Sequence, residues 1–209
     1  MPIPLVDVAI AFFIGMGPIK IVVAYLAATH GAGQAIRRRV AFTVVIAATV
    51  TALALVFGGA LLLEVFHIDG GPLLIAGGLV MVVFGLQTVL SGPVHLEGLE
   101  APTDEALMRE AIYPLAVPIL LNPAGIAAAM ILSVDLIAGG GYLPVTLVVL
   151  GIALLDLVVL LAAGAAGHRV LYAAITILEK VFGTLLIAIG IQLMLVGATR
   201  LGIIDAVFA

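Results

Sequence analysis

The chain has no cysteine, no tryptophan, a single asparagine and only 10% charged residues. Without cysteine there is no disulfide framework and no thiol chemistry, and nothing follows about compartment. Without tryptophan, an aromatic belt at a membrane interface is thin. Soluble domains carry about a quarter charged residues. A chain that is 65% hydrophobic, with a mean hydropathy of +1.40, cannot cover its own surface with polar groups, so lipid is the expected solvent for most of it. The opening "MPIPLVDVAIAFF" lacks the basic region and the small-residue cleavage site of a signal peptide, and the first helix is expected to be retained. His30, His67, His95 and His168 fall at helix ends or in loops without metal-ligand spacing. No nucleophile–base set, metal constellation or phosphate loop following a strand is present. An enzyme is therefore not expected, and neither is a cofactor, a metal or a nucleic-acid partner.

What is there in quantity is apolar sequence. A membrane span needs about 20 apolar residues, and six stretches qualify: 5–28, 40–63, 72–90, 111–134, 143–167 and 181–199. The polar run "SGPVHLEGLEAPTDEALMRE" separates the third from the fourth. If six helices alternate, Arg37, Arg38, Arg39, Arg109, Arg169 and Lys180 all fall on one side and only Arg200 on the other. Basic residues in short loops face the cytoplasm, which predicts both termini outside.

The stretch "GLVMVVFGLQTVLSG" aligns with "GTLLIAIGIQLMLVG" 105 residues later. Gly78, Gly85, Gln87, Leu90 and Gly92 match Gly183, Gly190, Gln192, Leu195 and Gly197. The same offset pairs Pro18 with Pro123, Ile14 with Ile119, Ile21 with Ile126, and Gly59 with Gly164. The glutamine match is the most specific, since the chain has only three glutamines. The fold expected is an all-α integral membrane protein of six transmembrane helices, arranged as two inverted three-helix repeats with helices one and four discontinuous. Residues 1–92 form the first repeat, 93–110 a cytoplasmic linker and 111–209 the second, which enters from the opposite side because three is odd. Such repeats are common in secondary transporters, whose sites are often built from broken helices in matching positions.

The matching positions are "GMGPIK" and "LLNPAG". Asn122 suits an N-cap and Pro123 the first helical position, so a helix can stop near Leu121 and restart in mid-membrane. In the first break Gly17 precedes Pro18, and Gly15 adds a second loose point. Restarted helices expose N–H groups, and two facing starts would cradle a carboxylate. The alternative is a pair of plain proline kinks.

Lys20 and Asp156 are each the lone charge well inside their span. An intramembrane charge costs at least about 2.5–3.5 kcal/mol at a helix centre and usually marks a pathway. Lys20 either snorkels to the interface or faces inward to pair with Asp156. Gln87 and Gln192 can bridge helices or contact substrate.

The stretches "YPLAVPILLNPAGIAAAMIL", "IAGGLVMVVFGLQTVL" and "GPIK", with "YLAATHG" and "RRR" after the last, resemble the MarC family of six-helix inner-membrane proteins, some of which transport small neutral amino acids. The resemblance covers nearly the whole chain. It implies a prokaryotic cytoplasmic membrane and an Asn-Pro or Asp-Pro, one residue, then Gly in each repeat. Asn122, Pro123 and Gly125 fit that pattern. Pro18 fits, but Gly17 replaces the Asn or Asp and Lys20 the Gly, which predicts a smaller or more positive cradle. The expected function is secondary transport of a small neutral amino acid or related carboxylate. The candidate binding residues are Gly15, Gly17, Pro18, Lys20, Gln87, Asn122, Pro123, Gly125, Asp156 and Gln192. A coupling proton or sodium ion, the lipid bilayer and a further copy of the chain are the other expected partners. The rival readings are a non-transporting scaffold and a passive anion channel with Lys20 as its selectivity charge.

Overall fold

A computed structural model describes residues 5–90, 103–137, 141–166 and 172–204. The helices are α1 (Leu5–Met16), α2 (Pro18–Ala28), α3 (Gln34–Val65), α4 (Gly70–Leu90), α5 (Asp104–Glu110), α6 (Pro123–Ile137), α7 (Tyr142–Ala166) and α8 (Tyr172–Arg200). An irregular, wide-wound segment, Ala111–Leu120, joins α5 to α6. The described residues contain five helices long and apolar enough to cross a membrane, and six if the bent pair 104–120 and 123–133 is one span. This is an integral membrane protein with its first and fourth spans discontinuous. Gly92, His95, His168 and Arg169, with residues 93–102 of the expected linker, lie outside the described residues.

Local chemistry accounts for the boundaries. α3 begins after Gly33, whose backbone is extended (φ −69°, ψ 157°), and it starts six residues earlier than the apolar run alone predicts. The added turns hold Arg37, Arg38 and Arg39, which helices accept readily. Its end is a left-handed cap at His67 (φ 53°). There the Ile68 amide donates to the Leu63 carbonyl at 2.9 Å and the His67 amide to Glu64 at 3.1 Å, which satisfies carbonyls that the helix end leaves open. Within the expected linker, Thr103 caps α5 by accepting from the Ala106 amide at 3.3 Å. Asp104 and Glu105 sit in the first turn and Arg109 in the last, each complementing the helix dipole.

The core lies where α3 meets α6, α7 and the wide segment. One face of α3 supplies Val40, Val44, Ala48, Ala52 and Val56, all fully buried, at the three-to-four-residue spacing of one helical stripe. Phe57 stacks on Tyr142, with ring centroids 5.3 Å apart, and ties the end of α3 to the start of α7.

α4 and α8 pack closely along their length. Gly71, Gly78 and Gly85 face Gly197, Gly190 and Gly183 in antiparallel order. A Cβ on Gly190 would lie 2.6 Å from the Gly78 carbonyl oxygen, and one on Gly85 would lie 2.6 Å from that of Gly183. Lipid supplies no hydrophobic drive between helices, so close backbone approach through small residues is what holds such a pair.

Two cationic side chains bridge helix ends on the side that carries the arginine triplet. Arg37 of α3 donates through Nη1 to the Gly164 carbonyl near the end of α7, at 3.3 Å. Lys180 of α8 donates to the Thr88 carbonyl near the end of α4, at 2.7 Å. Both bonds place a cation at the negative end of a helix dipole.

Candidate functional site

The two breaks meet inside the bundle. At the first, Gly17 is extended (φ −79°, ψ 159°) and Pro18 opens α2 at its first helical position. α1 and α2 together form one span, 8–28, bent by no more than 40° at the break. At the second, the chain turns by 70° between the wide segment and α6. The cause lies upstream: Tyr113 and Val117 precede Pro114 and Pro118 and are extended (φ −138°, ψ 124° and φ −135°, ψ 123°). A proline ring disfavours helical geometry at the residue before it. The span arrives at Leu121 already unwound, with the Leu121 amide donating to the Ala116 carbonyl at 2.9 Å, one residue wider than an α-helical bond.

Asn122 then does what its type and position predict. Its Oδ1 accepts from the amides of Ala124 at 2.8 Å and Gly125 at 3.0 Å, and Pro123 occupies the first helical position. Its Nδ2 reaches across to the Ile14 carbonyl at 2.9 Å, and its own amide donates to the Gly15 carbonyl at 2.9 Å. Ile14 and Gly15 belong to the last turn of α1, where carbonyls lack a helical partner. One asparagine thus closes the start of α6 and the end of α1 together. The backbones touch there: a Cβ on Gly125 would lie 2.7 Å from the Gly15 carbonyl oxygen, and one on Gly15 would overlap the Gly125 Cα.

This arrangement corrects one expectation. The amides after Asn122 were expected to hold a substrate carboxylate, but the Asn122 side chain occupies them. What faces the start of α6 is the end of α1. At the other break the N-cap is Gly17, which has no side chain to cap the first turn of α2. A Cβ on Gly17 would overlap the Phe13 carbonyl oxygen, which is why glycine stands there.

Asp156 is fully buried. It shares one face of α7 with Val149, Ile152, Ala153, Leu160 and Ala163, a face that packs on α1, α2 and α3. Among the described residues neither carboxylate oxygen has a hydrogen-bond partner. Its depth follows from a contact lower down. A Cβ on Gly164 would lie 2.8 Å from the Tyr25 hydroxyl, so the Tyr25 side chain reaches the end of α7. Asp156 lies eight residues before Gly164 and Gly17 eight before Tyr25, about 12 Å in each case at 1.5 Å per residue. α2 and α7 run in the same direction, and α7 packs on both α1 and α2, so the middle of α7, where Asp156 lies, passes the first break. Lys20 is the third residue of α2; its side chain, and with it the expected pairing with Asp156, lies outside the described residues.

The structure thus brings together Gly15, Gly17, Pro18, Asn122, Pro123 and Gly125, with the middle of α7, which carries Asp156, beside them. It does not bring the two glutamines there. Gln87 is exposed on α4, ten residues or about 15 Å beyond Gly77, which packs near Ala127 and Pro123. Gln192 is also exposed and lines a crevice of about 460 Å³ whose inner end is formed by Ile14 and Ala124. Among the described residues no cluster of His, Asp and Glu is placed to hold a metal ion.

Sequence reasoning missed the polar knot at the basic end. The Tyr25 hydroxyl donates to the Arg37 carbonyl at 3.0 Å, and Arg37 in turn reaches Gly164. The signal was available: three consecutive arginines on a helix point 100° apart, so one of them turns inward.

Comparison with known proteins agrees with this architecture. Residues 4–201 match the model of the MarC family, described as integral membrane proteins. The chain is 28% identical over 185 residues to a UPF0056 membrane protein of Methanocaldococcus jannaschii, covering 87% of this chain and 89% of that one. It is 26% identical over 143 residues to a UPF0056 membrane protein of Pyrococcus horikoshii, covering 68% and 67%. No solved structure matches. A family match that runs through both helix breaks and every span settles the assignment: the chain belongs to the MarC family of integral membrane proteins.

Proposed function

We propose that this protein is a secondary transporter of a small zwitterionic solute, in the first instance a small neutral amino acid, working by alternating access. The observation that carries the reading is the meeting of two broken helices in the buried centre beside a buried carboxylate that has no hydrogen-bond partner among the described residues. Irregular backbone at membrane depth is tolerated only where protein buries it or it lines a cavity, and paired breaks of this kind are where transporters place their substrates.

The roles divide by charge. The uncapped first turn of α2 supplies amides for the substrate carboxylate, with Lys20 adding positive charge. Asp156 receives the ammonium group, or pairs with Lys20 when the site is empty. Asn122 is a positioning residue that locks α6 to α1. The first and second halves are inverted repeats. In support, the offset of 105 residues exchanges the contact Gly78–Gly190 with the contact Gly183–Gly85, as a two-fold axis in the membrane plane requires. The bonds from Arg37 to Gly164 and from Lys180 to Thr88 each join one half to the other. Rocking the halves apart breaks them, so they hold the basic end closed. The membrane is the cytoplasmic membrane of a prokaryote, with the basic end inside and both termini outside.

The test is uptake of labelled glycine, alanine and serine into proteoliposomes, with and without imposed proton and sodium gradients. The expected result is saturable, competable uptake that Asp156→Asn abolishes. Non-saturating anion flux overturns the reading in favour of a channel. No flux of any of these solutes, in protein that retains its fold, overturns it in favour of a scaffold.

A further inference from the structure

The crevice between α1, α4, α6 and α8 is independent of the transport reading. It exists because α6 presents Ala124, Ala127 and Ala128 where larger side chains would fill the space. Its wall is apolar except for Gln192 and, at its outer end, Arg200. α8 packs along α4 and touches α2 but does not pack along α1. The gap between α1 and α8 is therefore its mouth, flanked by Ile10 and Val196, which are 52% and 37% exposed. On a membrane protein that mouth faces lipid.

The geometry points to a seat for one anionic phospholipid of the surrounding bilayer, with an apolar chain in the crevice and its phosphate on Arg200. Three observations support that occupant. Arg200 closes α8 at the end of the bundle remote from the arginine triplet, where headgroups lie, and it has no partner among the described residues. Its guanidinium passes beside the start of α4, so that a Cβ on Gly70 would lie 3.2 Å from Nη1. From Arg200 to Gln192 the crevice descends two helical turns, about 12 Å, and continues to Ile14 and Ala124. A zwitterionic solute finds nothing to hold it at that inner end, since Asn122 spends its polar atoms on Ile14, Ala124 and Gly125. An apolar chain does fit, and its tip would brace the residues on both sides of the crossing.

The experiment is thermal unfolding of the delipidated, detergent-purified full chain. Dioleoylphosphatidylglycerol and dioleoylphosphatidylcholine are added at equal concentrations, and bound lipid is counted by native mass spectrometry. A ligand selective for the folded state raises Tm. The glycerol lipid is expected to raise it by about 3 °C more than the choline lipid, with one lipid retained per chain. Arg200→Gln, a surface change that leaves the fold intact, removes the difference between the lipids. Ala128→Leu, which fills the crevice, removes the retained lipid. Equal shifts by the two lipids, or a preference that survives Arg200→Gln, overturn the assignment. So does a Tm rise with alanine or leucine that Ala128→Leu abolishes, which would make the crevice a solute site.

Discussion

The break at Gly17 and the break at Asn122 carry the same proline 105 residues apart, yet the chain completes them differently. At Asn122 the span bends by 70° and the side chain takes up both local amides. At Gly17 the span bends by no more than 40° and no side chain caps the new helix. The difference separates two tasks that a symmetric pair would share. The capped break is a joint, because its polar groups are spent on holding α6 against α1. The uncapped break has no side chain of its own N-cap over the first turn of α2, and the middle of α7, with Asp156, passes beside it. A helix start can hold a foreign carboxylate only if its own sequence has not already supplied an acceptor, and in the proposed reading glycine rather than asparagine leaves the first start to the substrate.

The comparison breaks most severely at the contact that both breaks share. Gly125→Leu forces a side chain into the Gly15 backbone. Overpacking a tight site costs about 3 kcal/mol, and more where backbone cannot yield. The expected outcome is loss of the monodisperse peak in fluorescence-detected size-exclusion chromatography, while Gly58→Leu, whose Cβ meets nothing within 4 Å, leaves it intact.

Asp156 gives the next largest effect. If Lys20 pairs with it in the empty protein, Asp156→Asn alone leaves a buried cation unmatched, at a cost of about 3–5 kcal/mol. The double variant with Lys20→Met removes both charges and recovers most of the lost Tm, though not the uptake. A double variant no more stable than Asp156→Asn shows that the two charges are uncoupled. It would leave Asp156 to the substrate alone.

The legible parts of this molecule are those set by local chemistry. Six spans, their order and the restart at Pro123 follow from apolar length and from one Asn-Pro, because span length and capping are properties of a few adjacent residues. The meeting of Gly15 with Gly125 was half legible. Both glycines stand beside a proline break, but which helix end faces which start depends on tertiary packing. The fate of the Asn122 amides was misjudged for the same reason, since a side chain that can cap its own helix competes with any ligand for those donors. The glutamines were drawn to the site by their match across the repeat. A repeat preserves position within a helix, and here that position faces outward. The Arg37–Gly164 bond joins residues 127 apart, and no local pattern carries such a pairing.

Asn122→Ala tests the joint. It removes a cap worth about 1 kcal/mol and a side-chain bond to the Ile14 carbonyl worth about 1 kcal/mol more. The expected loss is about 2 kcal/mol in all. Asn122→Asp keeps the acceptor for Ala124 and Gly125 but loses the donor to Ile14 and buries a carboxylate beside that carbonyl, which costs several kcal/mol more. It is therefore expected to be less stable than Asn122→Ala in denaturant titrations followed by tyrosine fluorescence. An Asp variant more stable than the Ala variant would show that the cap, not the bond across to α1, is what holds the joint.

Gly17→Asn asks the smallest and sharpest question, because it gives the first break the residue of the second. Two effects oppose each other. An asparagine cap on α2 would contribute about 1 kcal/mol. Its Cβ, however, overlaps the Phe13 carbonyl oxygen, and relieving such a contact costs about 1–3 kcal/mol. The clash is with backbone rather than with a flexible side chain, so it wins, and the expected net result is a loss of about 1 kcal/mol in stability. Function should change more than stability. The new side chain would compete for the amides assigned to the substrate carboxylate, so KM for uptake rises while Asn122→Asp leaves KM near its original value. A Gly17→Asn protein that is more stable and transports normally would mean that the two breaks are interchangeable, and the division into joint and binding start would fall.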